Sequence, residues 1–309
     1  MQMEKASRPA QRLGSWLDRE GVAGYVFIAP FIIGLVAFTV IPFFTSLYLA
    51  FTQYNVLTPA KWIGLDNFKK MFFEDKLFWK SFWITFKFAI IQVPLKLTIS
   101  LLVALALSRQ TRLTAFYRGA FYIPSLMGGS VAVALLWKQL WAYKGVINSL
   151  LKAVGLPGNI KWLSDPNTAL GVLIGLGLWQ FGSSMLIFLA AIKNIPASYH
   201  EAAIVDGAGP VKCFFKITLP MLTPIFLFNL INQTIGAFQA FNSSYLITQG
   251  GPLNSTLYYG VHLYNRAFTY YEMGYGSAMA WFMLLVIALL TMLIFKSSSA
   301  WVYYESEGK

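Results

Sequence analysis

The sequence predicts an all-α membrane protein with six transmembrane helices. Three observations carry that prediction. Hydrophobic residues make up 57% of the 309 residues and charged residues only 12%, against about 25% charged residues in soluble domains. Mean hydropathy is strongly positive, so too few charges exist to cover a water-facing surface. Uncharged stretches also recur at the length a bilayer requires, about 20 residues for roughly 30 Å of hydrocarbon.

The first 24 residues are polar and read as a tail. Within them RLGSWLDRE suits a short interfacial helix with Trp16 at headgroup depth. A partly ordered tail is the equal alternative. The apolar segment that follows is too long for the core of a cleavable signal. Residues 21–60 carry no charge and place a first span near 25–49, punctuated by Pro30 and Pro42. A second span covers 82–107, interrupted by Lys87 and Lys96. A third covers 119–137 and a fourth 168–192. Between Lys216 and Arg266 lie 49 uncharged residues, too many for one crossing. They divide into a fifth span near 221–247 and a loop from TQGGPLNS onward. Residues 273–295 form the sixth span. The domain plan is a tail at 1–24, a transmembrane domain at 25–296 with its core at about 81–296, and a tail at 297–309.

An even number of spans puts both termini on one side. With the termini inside, the inner side holds twelve Lys/Arg and the outer side ten, a weak bias under the positive-inside rule. Arginine discriminates better. Arg8, Arg12, Arg19, Arg109, Arg112 and Arg118 share the side of the termini, and only Arg266 lies opposite. Cytoplasmic termini follow.

Composition also excludes chemistry. One Cys rules out a disulfide framework, and with two His it leaves no zinc cluster. No nucleophile–base set or carboxylate pair lies within the spans, so no catalytic residue and no metal ligand is assigned. His200 and His262 read as ordinary polar neighbours and Cys213 as a small apolar filler. The chain lacks GxxxxGK[ST], so it has no phosphate loop with which to hydrolyse ATP. The net charge of +12 fits loops facing anionic lipid, or an anionic substrate, better than nucleic acid.

The loop between spans four and five, residues 192–220, is the most specific segment. It reads YHEAAIVDGAGPVKCFFKITLP over 199–220. Small residues at 202, 203, 207 and 208 allow another surface to approach closely, and the run from Gly207 to Pro210 forces a turn. Phe214, Phe215 and Ile217 suit a second short helix anchored in the interface. The predicted shape is a helix–turn–helix along the membrane, suited to a partner's groove.

The spacing Glu201-Ala202-Ala203, three residues, Gly207, nine residues, Ile217, one residue, Leu219-Pro220 resembles the EAA loop of ABC importer permeases at every position. Other segments resemble the maltose- and glycerol-phosphate-type sugar permeases: VAGYVFIAPFIIGLVAFTVIPFFTSLYLAF, WIGLDNFKKMF, AFYRGAFYIPSLMGG, GVINSLLKAVGLPGNIKWLSDP, FNSSYLITQGGPLNSTL and YYEMGYGSAMAW. The resemblance runs from about residue 21 to 295 and points to the subunit type with the extended first span. The segment from GSAMAW onward resembles most the branch that imports uronate-containing oligosaccharides of plant or algal origin.

This resemblance implies the type I ABC importer permease fold in the bacterial cytoplasmic membrane. It implies coupling to an ATPase through Glu201, Ala202, Ala203, Asp206 and Gly207. The implied partners are a second, sister permease, two copies of a P-loop ATPase, an extracytoplasmic solute-binding protein, an oligosaccharide and membrane lipid. ATP and Mg would be held by the ATPase, with no cofactor in this chain.

A translocation path needs polar groups facing a cavity at mid-membrane depth. Span four offers Gln180, Ser183 and Ser184, and span five Asn229, Asn232, Gln233 and Gln239. Helical spacing puts Asn229, Gln233, Gly236, Ala237 and Ala240 on one face. By resemblance to the maltose-type permeases, the sugar-facing positions are Ser125, Gly129, Gln180, Ser183, Gln233, Ala237 and Ala240. Ala237 and Ala240 stand where that family carries amides, which implies weak sugar contact from this subunit. The alternative is that these polar residues hold helices together. Lys96 should face the bundle or a wet cavity, meeting either a structural partner on the sister subunit, the favoured reading, or a sugar carboxylate. A secondary transporter driven by an ion gradient is the competing function; it would predict intramembrane acids and two comparable halves.

Overall fold

The computed structural model describes residues 20–109 and 111–303. The suggested interfacial helix around Trp16 lies outside them. α1 (Glu20–Leu35), a π-helical turn (Val36–Val40) and α2 (Ile41–Ala50) form one continuous apolar rod. Pro42, which lacks an N–H for the helical ladder, lies just after the π-helical turn within that rod. The α2 half packs against the last span: the Phe43 ring lies 4.7 Å from Trp281, whose indole donates to Ser46 Oγ at 3.1 Å. A minimal hairpin of β1 (Thr52–Gln53) and β2 (Lys61–Trp62) follows, antiparallel with Thr52 opposite Trp62. Asn67, on α3 (Asp66–Lys69), donates to the carbonyls of Ala50 and Thr52 at 2.9 Å each, fixing where the first span ends.

α4 (Lys76–Ser108), 33 residues long, is the central helix. Its buried positions Phe78, Ser81, Thr85, Phe88, Ala89, Gln92, Val93, Leu97, Ser100 and Ala104 recur at three- and four-residue spacing, which aligns them on one face. Ala89, Ser100 and Ala104 are small, which lets neighbouring backbones come close without a hydrophobic drive from lipid.

Spans three and four depart from the sequence reading. Residues 119–137 do not form one rod. α5 (Thr114–Met127) and α6 (Val131–Leu140) meet at 102°. α8 (Ala169–Trp179) and α9 (Gly182–Asn194) meet at 41°. Hydropathy measures apolar length and does not register a break within it. The pair Gly128-Gly129 gives up about 1 kcal/mol of helix propensity per residue at the first break, and Ser130 is extended there. Between these spans α7 (Val146–Ala153) is held by Asn148, which donates to Tyr143 O and Ile160 O and accepts from Trp162 Nε1.

After α10 (Ala197–Val205) and α11 (Pro210–Cys213), α12 (Leu219–Phe238) ends nine residues before the predicted end at 247. The polar sequence from Gln239 leaves the helix to border a cavity. α13 (Tyr259–Tyr264) and α14 (Met273–Ser298) complete the fold. Among the described residues four helices are long and apolar enough to cross a membrane, and the two bent pairs bring the total to six. α4 packs against α8, α9, α12 and α13, and α14 packs on α2 and α12.

One end of the bundle is tied by a buried carboxylate. Asp75 is the N-cap of α4, its Oδ1 accepting from the amides of Leu77 at 3.0 Å and Phe78 at 3.3 Å. Its Oδ2 accepts from His262 Nε2 at 2.8 Å and the Tyr275 hydroxyl at 2.8 Å, and forms an ion pair with the Arg266 guanidinium at 3.0 Å. Arg266 continues to Glu272 at 3.2 Å, and Glu272 to Lys70 at 2.7 Å. Burial pushes the Asp75 carboxyl up, but the hydrogen bond and field of His262, with Tyr275 and Arg266, outweigh it and hold the group well below the usual carboxylate range.

Asp75→Ala leaves a buried His262 without its acceptor and removes one of the two carboxylates that Arg266 meets, and is expected to cost about 3 kcal/mol, read as a lower melting temperature in detergent. Because the folded-state carboxyl is depressed, its contribution is complete above the unfolded value of about 3.9 and disappears only as pH falls through the lower folded value. The stability gap between wild type and variant should therefore stay roughly constant down to about pH 5 and close only in stronger acid.

Candidate functional site

Both helix breaks open onto one cavity of about 340 Å³. α4 lines it with Phe88, Gln92 and Lys96, spaced four residues apart on one face. The break between α5 and α6 brings Gly128 and Ser130, and α8 brings Gly177 and Gln180. The end of α12 adds Gln233, Gly236, Ala237 and Ala240, with Asn242 and Ser243 beyond it.

Two of the amides are tethered at their nitrogen ends. Gln180 Nε2 donates to Gly128 O at 3.3 Å, and Gln233 Nε2 donates to Ser184 Oγ at 3.0 Å. Gln92 Oε1 is buried with no hydrogen-bond partner. It fits there because Gly177 has no side chain, since a Cβ at that position would collide with the Gln92 amide. Lys96 is half-buried, and its ammonium group makes no ion pair or hydrogen bond among the described residues. Among the described residues no Asp or Glu lines the cavity.

The structure therefore brings together Lys96, Gln180, Gln233, Ala237 and Ala240. It places Ser125 and Ser183 elsewhere: the Ser125 hydroxyl accepts from the Ser183 amide at 3.1 Å, joining α5 to the start of α9. Gly129 is exposed beside the first break, outside the cavity lining. Asn229 also lies apart from the cavity. One turn before Gln233, where α4 and α9 close against α12, it is 1% exposed and donates to Ile225 O of its own helix. Gln92, Gly128, Ser130 and Gly177 were not singled out by sequence reasoning. Gln92 had a signal, an amide one turn before a lysine in an apolar span. The glycines had none, because their role depends on which side chain crosses them.

The second region is the turn between α10 and α11. Gly207 has φ +73°, a left-handed angle that favours glycine. Its amide donates to Ile204 O at 3.0 Å and the Ala208 amide to Ala203 O at 2.8 Å. That pair of bonds is the Schellman ending, which satisfies the last carbonyls of a helix. No atom lies within 4 Å of the position a Gly207 side chain would take, so within this chain its role is the backbone angle. His200 Nε2 lies 3.1 Å from Thr218 Oγ1 and pins α10 to the start of α12. Cys213 is buried beneath the turn. Glu201, Ala202, Asp206 and Gly207 are exposed and Ala203 is half-buried. Beside them Ile204, Val205 and Val211 are 67%, 87% and 70% exposed, an apolar surface next to an acidic residue.

Polar groups gathered where helices break inside an apolar bundle are what a solute path through a membrane requires. The class is that of a membrane permease. The family described as "binding-protein-dependent transport system inner membrane component" matches residues 25–302. The chain is 54% identical over 293 residues to the probable ABC transporter permease protein YesP of Bacillus subtilis strain 168, covering 94% of this chain and 95% of that one. It is 34% identical over 281 residues to the lactose transport system permease protein LacF of Rhizobium radiobacter, covering 89% and 93%. Its fold is similar to that of a bacterial ABC transporter involved in the import of the acidic polysaccharide alginate, with a TM-score of 0.80, 22% identity and coverage of 94% and 99%. The chain belongs to the binding-protein-dependent transport family. It is a carbohydrate ABC importer permease, a multi-pass protein of the inner membrane rather than a catalytic enzyme.

Gly207→Ala should loosen the turn by about 1 kcal/mol. Hydrogen exchange of the amides in 203–208 is the measurement, with a rise of about fivefold expected. Gly207→Asn, which tolerates the left-handed region better, should give a smaller rise.

Proposed function

We propose that this chain forms one half of the path of an ATP-driven importer for an acidic oligosaccharide, such as one derived from alginate or pectin. The other half is a sister permease. Two copies of a P-loop ATPase sit at the α10–α11 end, which faces the cytoplasm with both termini. A solute-binding protein delivers the sugar at the Asp75 end. The observation that carries the reading is the exposed turn at 197–213, with the full EAA spacing, in a chain whose family match spans 25–302.

Coupling follows from the surface that turn presents. The apolar patch of Ile204, Val205 and Val211 would bury in a cleft of the ATPase, with Glu201 and Asp206 bonding at its edge. Since α11 runs through a π-helical turn (Phe214–Thr218) directly into α12, a displacement of the turn would be carried along that rod to Gln233 and the cavity. ATP-driven closure would open the cavity outward, and hydrolysis would return it to the cytoplasmic side. The outer segments carry a net positive charge, equal to that of the inner ones, which suits an acidic substrate. The segments on the proposed outer side hold ten Lys/Arg and five Asp/Glu, and such a surplus raises the local concentration of anions.

The test is a mild-detergent purification of the tagged chain from its native host, followed by uptake in proteoliposomes. Recovery of a second EAA-loop permease, a P-loop ATPase and ATP-dependent uptake is expected. The double variant Glu201→Ala, Gly207→Asp should lose most of that uptake. Full uptake by the double variant, or uptake driven by an ion gradient without ATP, would refute the coupling assignment.

A further inference from the structure

The cavity contains one positive charge and, among the described residues, nothing to balance it. Lys96 lines it from α4, yet no carboxylate borders the space and the ammonium group has no partner among the described residues. A cation within a membrane bundle is costly unless it meets water or an opposite charge. One turn away Gln92 presents a carbonyl oxygen that is also unpartnered, on a residue only 9% exposed. Gly177 is what makes room for it. An unmatched ammonium donor thus stands in the wall of the cavity, one turn from an unmatched acceptor that is itself enclosed.

The other amides sharpen the pattern. Gln180 and Gln233 each use one N–H, on Gly128 O and Ser184 Oγ, which leaves a carbonyl oxygen and the second N–H to offer a solute. Carbonyl oxygens accept from sugar hydroxyls and repel a carboxylate. Lys96 is the group in this wall with a full charge to meet an anion, and a charge-assisted hydrogen bond is roughly twice as strong as a neutral one. The volume of about 340 Å³ lies within the range of about 300–1,000 Å³ for small-ligand pockets.

We propose that Lys96 and Gln92 form a reading point for one uronate unit of the passing oligosaccharide, with Lys96 binding the carboxylate and the Gln92 amide turning outward from its enclosed position to accept a hydrogen bond from a hydroxyl on the same unit. The proposal rests on the reading of this cavity as the sugar path. It makes Lys96 a specificity-determining residue of this subunit. The charge reads the substrate in transit, after the binding protein has released it.

The experiment uses the complete importer, purified with its sister permease, ATPase and binding protein and placed in proteoliposomes. ATP-driven uptake is measured for trigalacturonate and for the same trisaccharide with its carboxyl groups reduced to alcohols. The binding protein is common to all samples, so its own preference cancels when variants are compared. Lys96→Met should lower the acidic-to-neutral uptake ratio by about tenfold or more, as expected for the loss of one charge-assisted hydrogen bond. Lys96→Arg should restore most of the acidic uptake. Should the Met variant not assemble, Lys96→Gln, which keeps a polar group in the cavity, takes its place. An unchanged ratio, or equal loss of both sugars, overturns the proposal and makes Lys96 a structural partner of the sister subunit. Failure of both neutral variants to assemble does the same. Uptake of neither sugar by the wild-type importer, or of the neutral one alone, overturns the acidic-sugar function itself, and this proposal with it.

Discussion

In hydrocarbon every backbone N–H and C=O must find a partner within the protein, because no water is there to supply one. An unbroken helix meets that demand by itself. A broken helix does not, so each break must be capped by side chains or open onto a wet cavity. The two breaks here do both. Ser125 Oγ accepts from the Ser183 amide at the start of α9, Ser100 Oγ lies 3.0 Å from Phe181 O, and Gln180 Nε2 donates to Gly128 O. These contacts hold α4, α5, α8 and α9 in register, and the cavity is the space they leave.

The same constraint explains why polar residues in the bundle have different duties. The Ser125 hydroxyl and the Asn229 amide meet backbone groups, the Ser183 N–H and the Ile225 carbonyl. Gln180 and Gln233 each make one amide N–H bond, which restrains their rotamers while leaving polar capacity in residues that line the cavity. An amide restrained in this way can meet a solute with little further loss of side-chain freedom. Ala237 and Ala240 add space and no donors, so the chemistry of the wall comes from α4 and α8 as much as from α12.

The two ends of the bundle are built in opposite ways. At the Asp75 end, one buried carboxylate joins the start of α4 to α13 and α14, and a chain of charges extends it to Lys70. That end has little freedom to open locally. At the α10–α11 end, the backbone turn is closed by its own Schellman bonds and the His200–Thr218 contact, while its apolar side chains remain uncovered. A local unit that is rigid in itself and sparsely packed on the rest of the chain can shift as one body.

Much of this was legible from the order of residues alone. The apolar composition and the span lengths determined a multi-pass helical protein, because the cost of burying charge in lipid acts on composition directly. The EAA spacing marked the turn at Gly207, because the left-handed angle there favours a glycine and helix ends are set locally. Lys96 stood out as a cation in an apolar span. The helix breaks, the shortened α12, and the roles of Gln92 and Gly177 were settled only in three dimensions. So was the partnership of Asp75 with His262, 187 positions away. Each of these depends on which group lies opposite in space. Helical periodicity could place Asn229 and Gln233 on one face, but whether a face meets a cavity or a packed neighbour depends on how the helices cross.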